Sequence, residues 1–186
     1  MTFKINDLFL FFLGAGLCLA LTMVHIGLVY HYTEIGISQN YFELRNLIEV
    51  VLSNIVLSFL EELFFRVFIF ISLLKIFRKF WLALIVSSLL FALMHLNGLD
   101  NQFIGIGLVH IFIGGCILTY LYYITNSIWS AIGFHSFNNI MNAVIYSPDD
   151  IMNFTVNTLL YLTLFTTLVY FGNRLKDGNR FRILSV

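Results

Sequence analysis

Charge is what this sequence has least of. Lys, Arg, Asp and Glu make up 11% of its 186 residues, where a soluble domain carries about 25%. The ten basic and ten acidic side chains cancel, and no Lys/Arg stripe interleaves with aromatics on a polar face, so nucleic acid is excluded as a partner. Proline occurs once, at Pro148. The two cysteines, Cys18 and Cys116, lie far apart in apolar runs and belong to no CxxC or lipobox pattern, so they read as small core residues. Several catalytic signatures are missing as well. Without HExxH a one-helix zinc protease cannot be built, and without GxSxG there is no serine elbow. Ser136, next to His135, is turned away from it on a helix, and Asp100 has no second intramembrane aspartate with which to form a dyad. No internal repeat or low-complexity segment is present.

What remains is apolar. Hydrophobic residues make up 60% of the chain, 21 of them phenylalanine, and mean hydropathy is +0.91. This composition predicts an integral membrane protein. A window of about 19 residues finds apolar stretches near 8–30, 46–74, 81–97, 103–124, 128–146 and 153–173. Only helices and closed barrels satisfy their backbone in lipid, and these runs lack the alternation of barrel strands. The expected fold is therefore all-α: one domain over residues 1–186, a polytopic transmembrane bundle of about six spans. The first stretch is too long for a secretory h-region and lacks a cleavage site, so it reads as a retained span. Basic residues mark the cytoplasmic loops: Lys75, Arg78 and Lys79 after the second run, and Arg174, Lys176, Arg180 and Arg182 after the sixth. Both termini, with Lys4, are then expected in the cytoplasm of a multi-pass cell-membrane protein. Gly14 and Gly16 in the first run, with Gly105, Gly107, Gly114 and Gly115 in the fourth, are expected to admit close helix packing. Tyr30, Tyr32, Trp81, Tyr120, Tyr122, Tyr123 and Trp129 read as an aromatic belt at the span ends.

Against this background the stretch SFLEELFFRVFIF, residues 58–70, stands out. A charge at the bilayer centre costs about 2.5–3.5 kcal/mol or more, so such groups face the bundle interior and mark function. Glu62 and Arg66, four apart on a helix, share a face and can pair, whereas Glu61 is rotated by about 100° and is left to point elsewhere. FALMH puts His95 one turn after Phe91, and GFHSFNN stacks His135 and Asn139 on one face. A carboxylate removed from water can act as a base toward water, and imidazole and carboxamide can donate to a developing oxyanion. This set suits water attack on an amide. The same Glu61, His95 and His135 also form an alternative zinc ligand set with a fourth position for water. A structural reading stays open too: an ion pair with a spare glutamate that serves helix specificity. His25, His31, His110, Asn138 and Asn142 belong to no such pattern and read as bundle or interface polar groups.

EExxxR at 61–66, FxxxH at 91–95 and HxxxN at 135–139, in that order on successive apolar helices, resemble the motifs of the CAAX protease and bacteriocin-processing family of intramembrane glutamic proteases. The stretch TNSIWSAIGFHSFNN is similar to that family too. The resemblance covers about residues 46–146, the expected catalytic core. It implies a metal-free, cofactor-free protease in which Glu61 activates water with His95, His135 and Asn139 stabilise the oxyanion, and Glu62 and Arg66 order the site. The substrate would be a small hydrophobic or membrane-anchored peptide in the lipid bilayer, and bacterial members are associated with peptide maturation, signalling and bacteriocin immunity. Two competing classes are a non-catalytic membrane scaffold or immunity protein and a small transporter, for which neither repeated halves nor broken helices are seen. At about 1.5 Å per residue, His135 is expected about 10 Å from the cytoplasmic end of its span, and Glu61 and His95 nearer 20 Å from theirs.

Overall fold

Each apolar run becomes a helical rod, because in a chain with one proline little interrupts the i→i+4 ladder. The computed structural model describes residues 5–30, 36–37, 43–99, 102–146 and 151–176. The expectations for Lys4, His31, Tyr32, Asp100, Arg180, Arg182 and the Pro-Asp-Asp loop lie outside them, as do the side chains of Arg174 and Lys176. Helix α1 covers Ile5–Val29 and α2 covers Leu44–Glu62. From α2 the same rod continues through a π-helical stretch, Leu63–Phe70, into α3, Ile71–Phe77. Then come α4 (Phe80–Met94), α5 (Ile104–Thr125), α6 (Ile128–Val144) and α7 (Ile151–Lys176). One short pairing was not expected: β1 (Gly36–Ile37) lies antiparallel to β2 (Ile145–Tyr146), with Gly36 opposite Tyr146.

The breaks have local causes. Arg78 closes α3 and Asn126 closes α5, each left-handed with φ of 52°, and asparagine tolerates that conformation well. Ser127 then caps α6 by accepting from the Trp129 backbone N–H at 3.4 Å. Among the described residues three helices, Ile5–Val29, Ile104–Thr125 and Phe154–Asn173, are long and apolar enough to cross a membrane. Among the others, α4 is apolar but has 15 residues, and α6 has 17.

Helix α5 is packed against α4, α6 and α7, while α6 is wedged between α1 and α2. The α1/α6 crossing brings the two backbones into contact. A Cβ on Gly14 would overlap the Ser130 carbonyl oxygen, and one on Gly133 would overlap that of Phe11. The crossing therefore uses one expected glycine and one that carried no packing signal in the sequence. Gly16 and Gly105 face open space instead, so close packing is not their role. Gly133→Leu is expected to destabilise the protein by about 3 kcal/mol, the upper end of overpacking costs, whereas Gly16→Ala should be close to neutral; thermal unfolding in detergent measures both.

The aromatic belt needs one correction. Tyr120 is fully buried, with its hydroxyl 3.4 Å from the Val169 carbonyl oxygen, so it is a core residue holding α7 to α5. Trp81, which stacks on it at 6.2 Å, is exposed, as is Tyr30.

Candidate active site

The rod of α2 places Ser58, Glu62 and Arg66 one above another, and all three are fully buried. Arg66 Nε lies 2.8 Å from Glu62 Oε2 and Nη2 donates to Oε1 at 3.3 Å. The guanidinium sits over the Phe91 ring, 4.8 Å from its centroid, so α4 covers the pair with an aromatic face. Glu62 is not spent on Arg66 alone. His135 of α6 donates from Nδ1 to Glu62 Oε1 at 2.8 Å, so the second glutamate ties the arginine of its own rod to the histidine of another helix.

Glu61 faces the other way along the ring. Its Oε2 lies 3.5 Å from His135 Nε2 and 3.7 Å from His95 Nε2. That oxygen is buried and has no hydrogen-bond partner among the described residues. His95 caps the C-terminus of α4, and its Nδ1 donates to the Phe91 carbonyl at 2.8 Å. Carbonyl and carboxylate oxygens accept, so each imidazole carries a proton on Nδ1, and Nε2 is the atom turned toward Glu61. In the neutral rings both Nε2 atoms accept as well. Three acceptor atoms thus converge on one point, an arrangement that a donor such as water satisfies.

Asn139 completes the set, one turn beyond His135, with its amide donating to Ser58 Oγ at 3.4 Å. The structure thus brings Glu61, Glu62, Arg66, His95, His135 and Asn139 together. Among the described residues no three His, Cys, Asp or Glu side chains form a group that could hold a metal ion, while the alternative zinc set has Glu61 Oε2 at 3.7 Å from His95 Nε2 and 3.5 Å from His135 Nε2.

The expected depth mismatch is also resolved. His135 lies seven residues into α6 and Glu61 sixteen before the end of α3, yet they are in contact. The rod from α2 through α3 runs 34 residues, about 50 Å at 1.5 Å per residue, against 17 residues for α6, so counts from the ends of rods of such different length do not fix relative depth.

Beside these residues lies a cavity of about 260 Å³ between α4, α5, α6 and α7, walled by His95, His135 and Asn139 on one side and by His110, Phe154 and Tyr161 on the other. Tyr161 donates to Asn138 Oδ1 at 2.6 Å, and the His110 ring stacks on Tyr161 at 4.4 Å. Sequence reasoning missed Ser58, although its place one turn before Glu62 on the same face was a usable signal. It also gave Phe91 no role. For the His110–Tyr161 wall no sequence pattern was available.

A mostly apolar helical bundle sets Glu61 and the buried Glu62 beside two imidazoles, a guanidinium and a carboxamide, next to a cavity, a makeup that suggests a membrane protein and holds groups suited to acid–base chemistry. The chain belongs to the family described as Type II CAAX prenyl endopeptidase Rce1-like, whose family profile matches residues 43–141. This is a family of endopeptidases, and the matched stretch runs from the start of α2 into α6 and contains every residue of the cluster. No curated protein and no solved structure matches.

Proposed function

We propose that the protein is a multi-pass intramembrane endopeptidase that uses Glu61 to activate water against a peptide bond of a small hydrophobic or membrane-anchored substrate. The observation that supports this most is the buried, unpartnered Glu61 Oε2 held between two imidazole Nε2 atoms. Water placed there gives a proton to Glu61 as its oxygen bonds to the scissile carbon. The carbonyl oxygen gains charge and is met by the Asn139 amide and, once His135 has taken a proton from solvent at Nε2 and left the water to Glu61 and His95, by that N–H as well, its added charge offset by Glu62 across the 2.8 Å contact at Nδ1. When the C–N bond breaks, the proton on Glu61 passes to the leaving nitrogen. His95 helps hold the water, and Glu62 and Arg66 act as positioning residues.

The six rods would cross the membrane with the α3–α4 turn and both termini in the cytoplasm, since Lys75, Arg78 and Lys79 gather at that turn. Processing of a peptide in maturation, signalling or bacteriocin immunity in a bacterium fits the resemblance of the motifs.

The direct test is cleavage of a panel of membrane-anchored peptides by the purified protein in lipid, wild type beside Glu61→Gln, with metal content measured on the same samples. Cleavage by metal-free wild type alone supports the proposal. Stoichiometric metal in active samples would replace the water-activating carboxylate with a zinc site. Cellular function that survives Glu61→Gln would favour the scaffold class. Asn139→Leu is expected to lower kcat about 10²-fold, as removal of one oxyanion donor does, with a much smaller change in KM.

A further inference from the structure

We propose that the cavity beside the cluster is a subsite for one uncharged substrate side chain that has an apolar body and a hydrogen-bonding tip, and that His110 and Asn142 select the tip. This assignment rests on the proteolytic reading for its link to a substrate, while the binding chemistry stands on the cavity itself.

Size comes first. An apolar cavity of about 150 Å³ accommodates benzene, or about 25 Å³ for each heavy atom. At that ratio the 260 Å³ here holds about ten heavy atoms. One aromatic or long polar side chain fits within it, and a fifteen-carbon prenyl chain does not.

The lining narrows the chemistry further. Phe134, Phe154 and Leu118 supply apolar walls. Among the described residues no Lys, Arg, Asp or Glu lines the cavity, so a charged side chain held away from its Glu61 end would be buried without a counter-charge from them, at a cost of several kcal/mol. Polar groups are nevertheless present. Asn138 and Asn142 sit four apart on α6, one helical turn from each other, and His110 lies across from them on α5. Asn138 is held by the Tyr161 hydroxyl. Asn142, nearly two turns beyond His135 on α6, makes no hydrogen bond among the described residues and offers both a donor and an acceptor. Amide and imidazole groups of this kind discriminate strongly for a ligand that can hydrogen-bond and against an isostere that cannot. A tyrosine or glutamine side chain meets each requirement, and leucine meets only the first.

The test uses side-chain probes, so that it reads out whether or not a cleavable peptide is in hand. Binding of p-cresol, toluene and farnesol is measured by saturation-transfer NMR to the full chain in lipid nanodiscs, with empty nanodiscs as the blank. The comparison includes Asn142→Leu and His110→Phe. The expected result is p-cresol bound at least about 10-fold more tightly than toluene, with that preference lost in either variant, and farnesol bound no better than by empty nanodiscs. Equal binding of p-cresol and toluene, an unchanged preference in both variants, or farnesol bound as tightly as p-cresol would overturn the assignment. Where a peptide is cleaved, tyrosine or glutamine beside the scissile bond should give at least about 10-fold higher kcat/KM than lysine or glutamate there. Absence of all cleavage with the p-cresol preference intact would count against the protease and leave the subsite standing.

Discussion

Glu61→Gln is expected to lower kcat/KM by at least about 10³-fold, within the range that general-base catalysis supplies, while leaving the protein folded. Glutamine keeps the shape and polarity of the side chain but cannot take a proton from water. The fold should tolerate it because Glu61 forms no short bond: its inner oxygen has no hydrogen-bond partner among the described residues, and the nearest imidazole nitrogens stand 3.5 and 3.7 Å away. The melting temperature in detergent should move by no more than a few degrees, the equivalent of about 1 kcal/mol. Activity and stability must be measured on the same preparation. A variant that cleaves at the wild-type rate would refute the role of Glu61, and one that fails to fold would show the residue to be structural.

Arg66→Leu should have the larger effect on stability. Arg66 and Glu62 are fully buried, and removing the cation leaves the carboxylate in the bundle with only the His135 contact to offset it. Breaking such a pair costs about 3–5 kcal/mol, enough to consume much of the stability of an ordinary domain. The informative comparison is the double variant Glu62→Gln with Arg66→Leu. Replacing both partners removes the isolated charge, and most of the lost stability should return, because a buried pair contributes little net stabilisation over neutral groups of similar size. Activity should not return, since Glu62 also holds His135 at Nδ1. A single Arg66→Leu variant within about 1 kcal/mol of wild type would show that His135 or water compensates fully.

These two residues also mark how far the sequence could be read. That Glu62 and Arg66 pair was legible because residues four apart on a helix share a face, and the π-helical winding after Glu62 leaves them in contact. The stacking of His135 and Asn139 was legible for the same reason. The contact between Glu62 and His135 was not, because the two stand 73 positions apart and no periodicity relates different helices. Pairing Glu62 with Arg66 alone was therefore incomplete. Ser58 and Asn139, 81 positions apart, are a second instance. Counting residues from assumed membrane ends placed the site residues at different depths, whereas in the fold Glu61 and His135 meet at 3.5 Å.

From composition alone follow the membrane as solvent, the helical rods, and a small set of polar groups too costly to bury without purpose; each is a local property, set by transfer free energy and by the 3.6-residue turn. Tertiary structure decided which of those groups meet, that Gly133 rather than Gly16 permits the closest crossing, and that a cavity with His110 and Asn142 on its wall adjoins the carboxylate–imidazole cluster. The reason is physical: in a bundle whose surface is apolar on nearly every side, hydrophobicity tells the helices to be buried but not against whom, and register and rotation are settled by the fit of particular side chains across the interfaces.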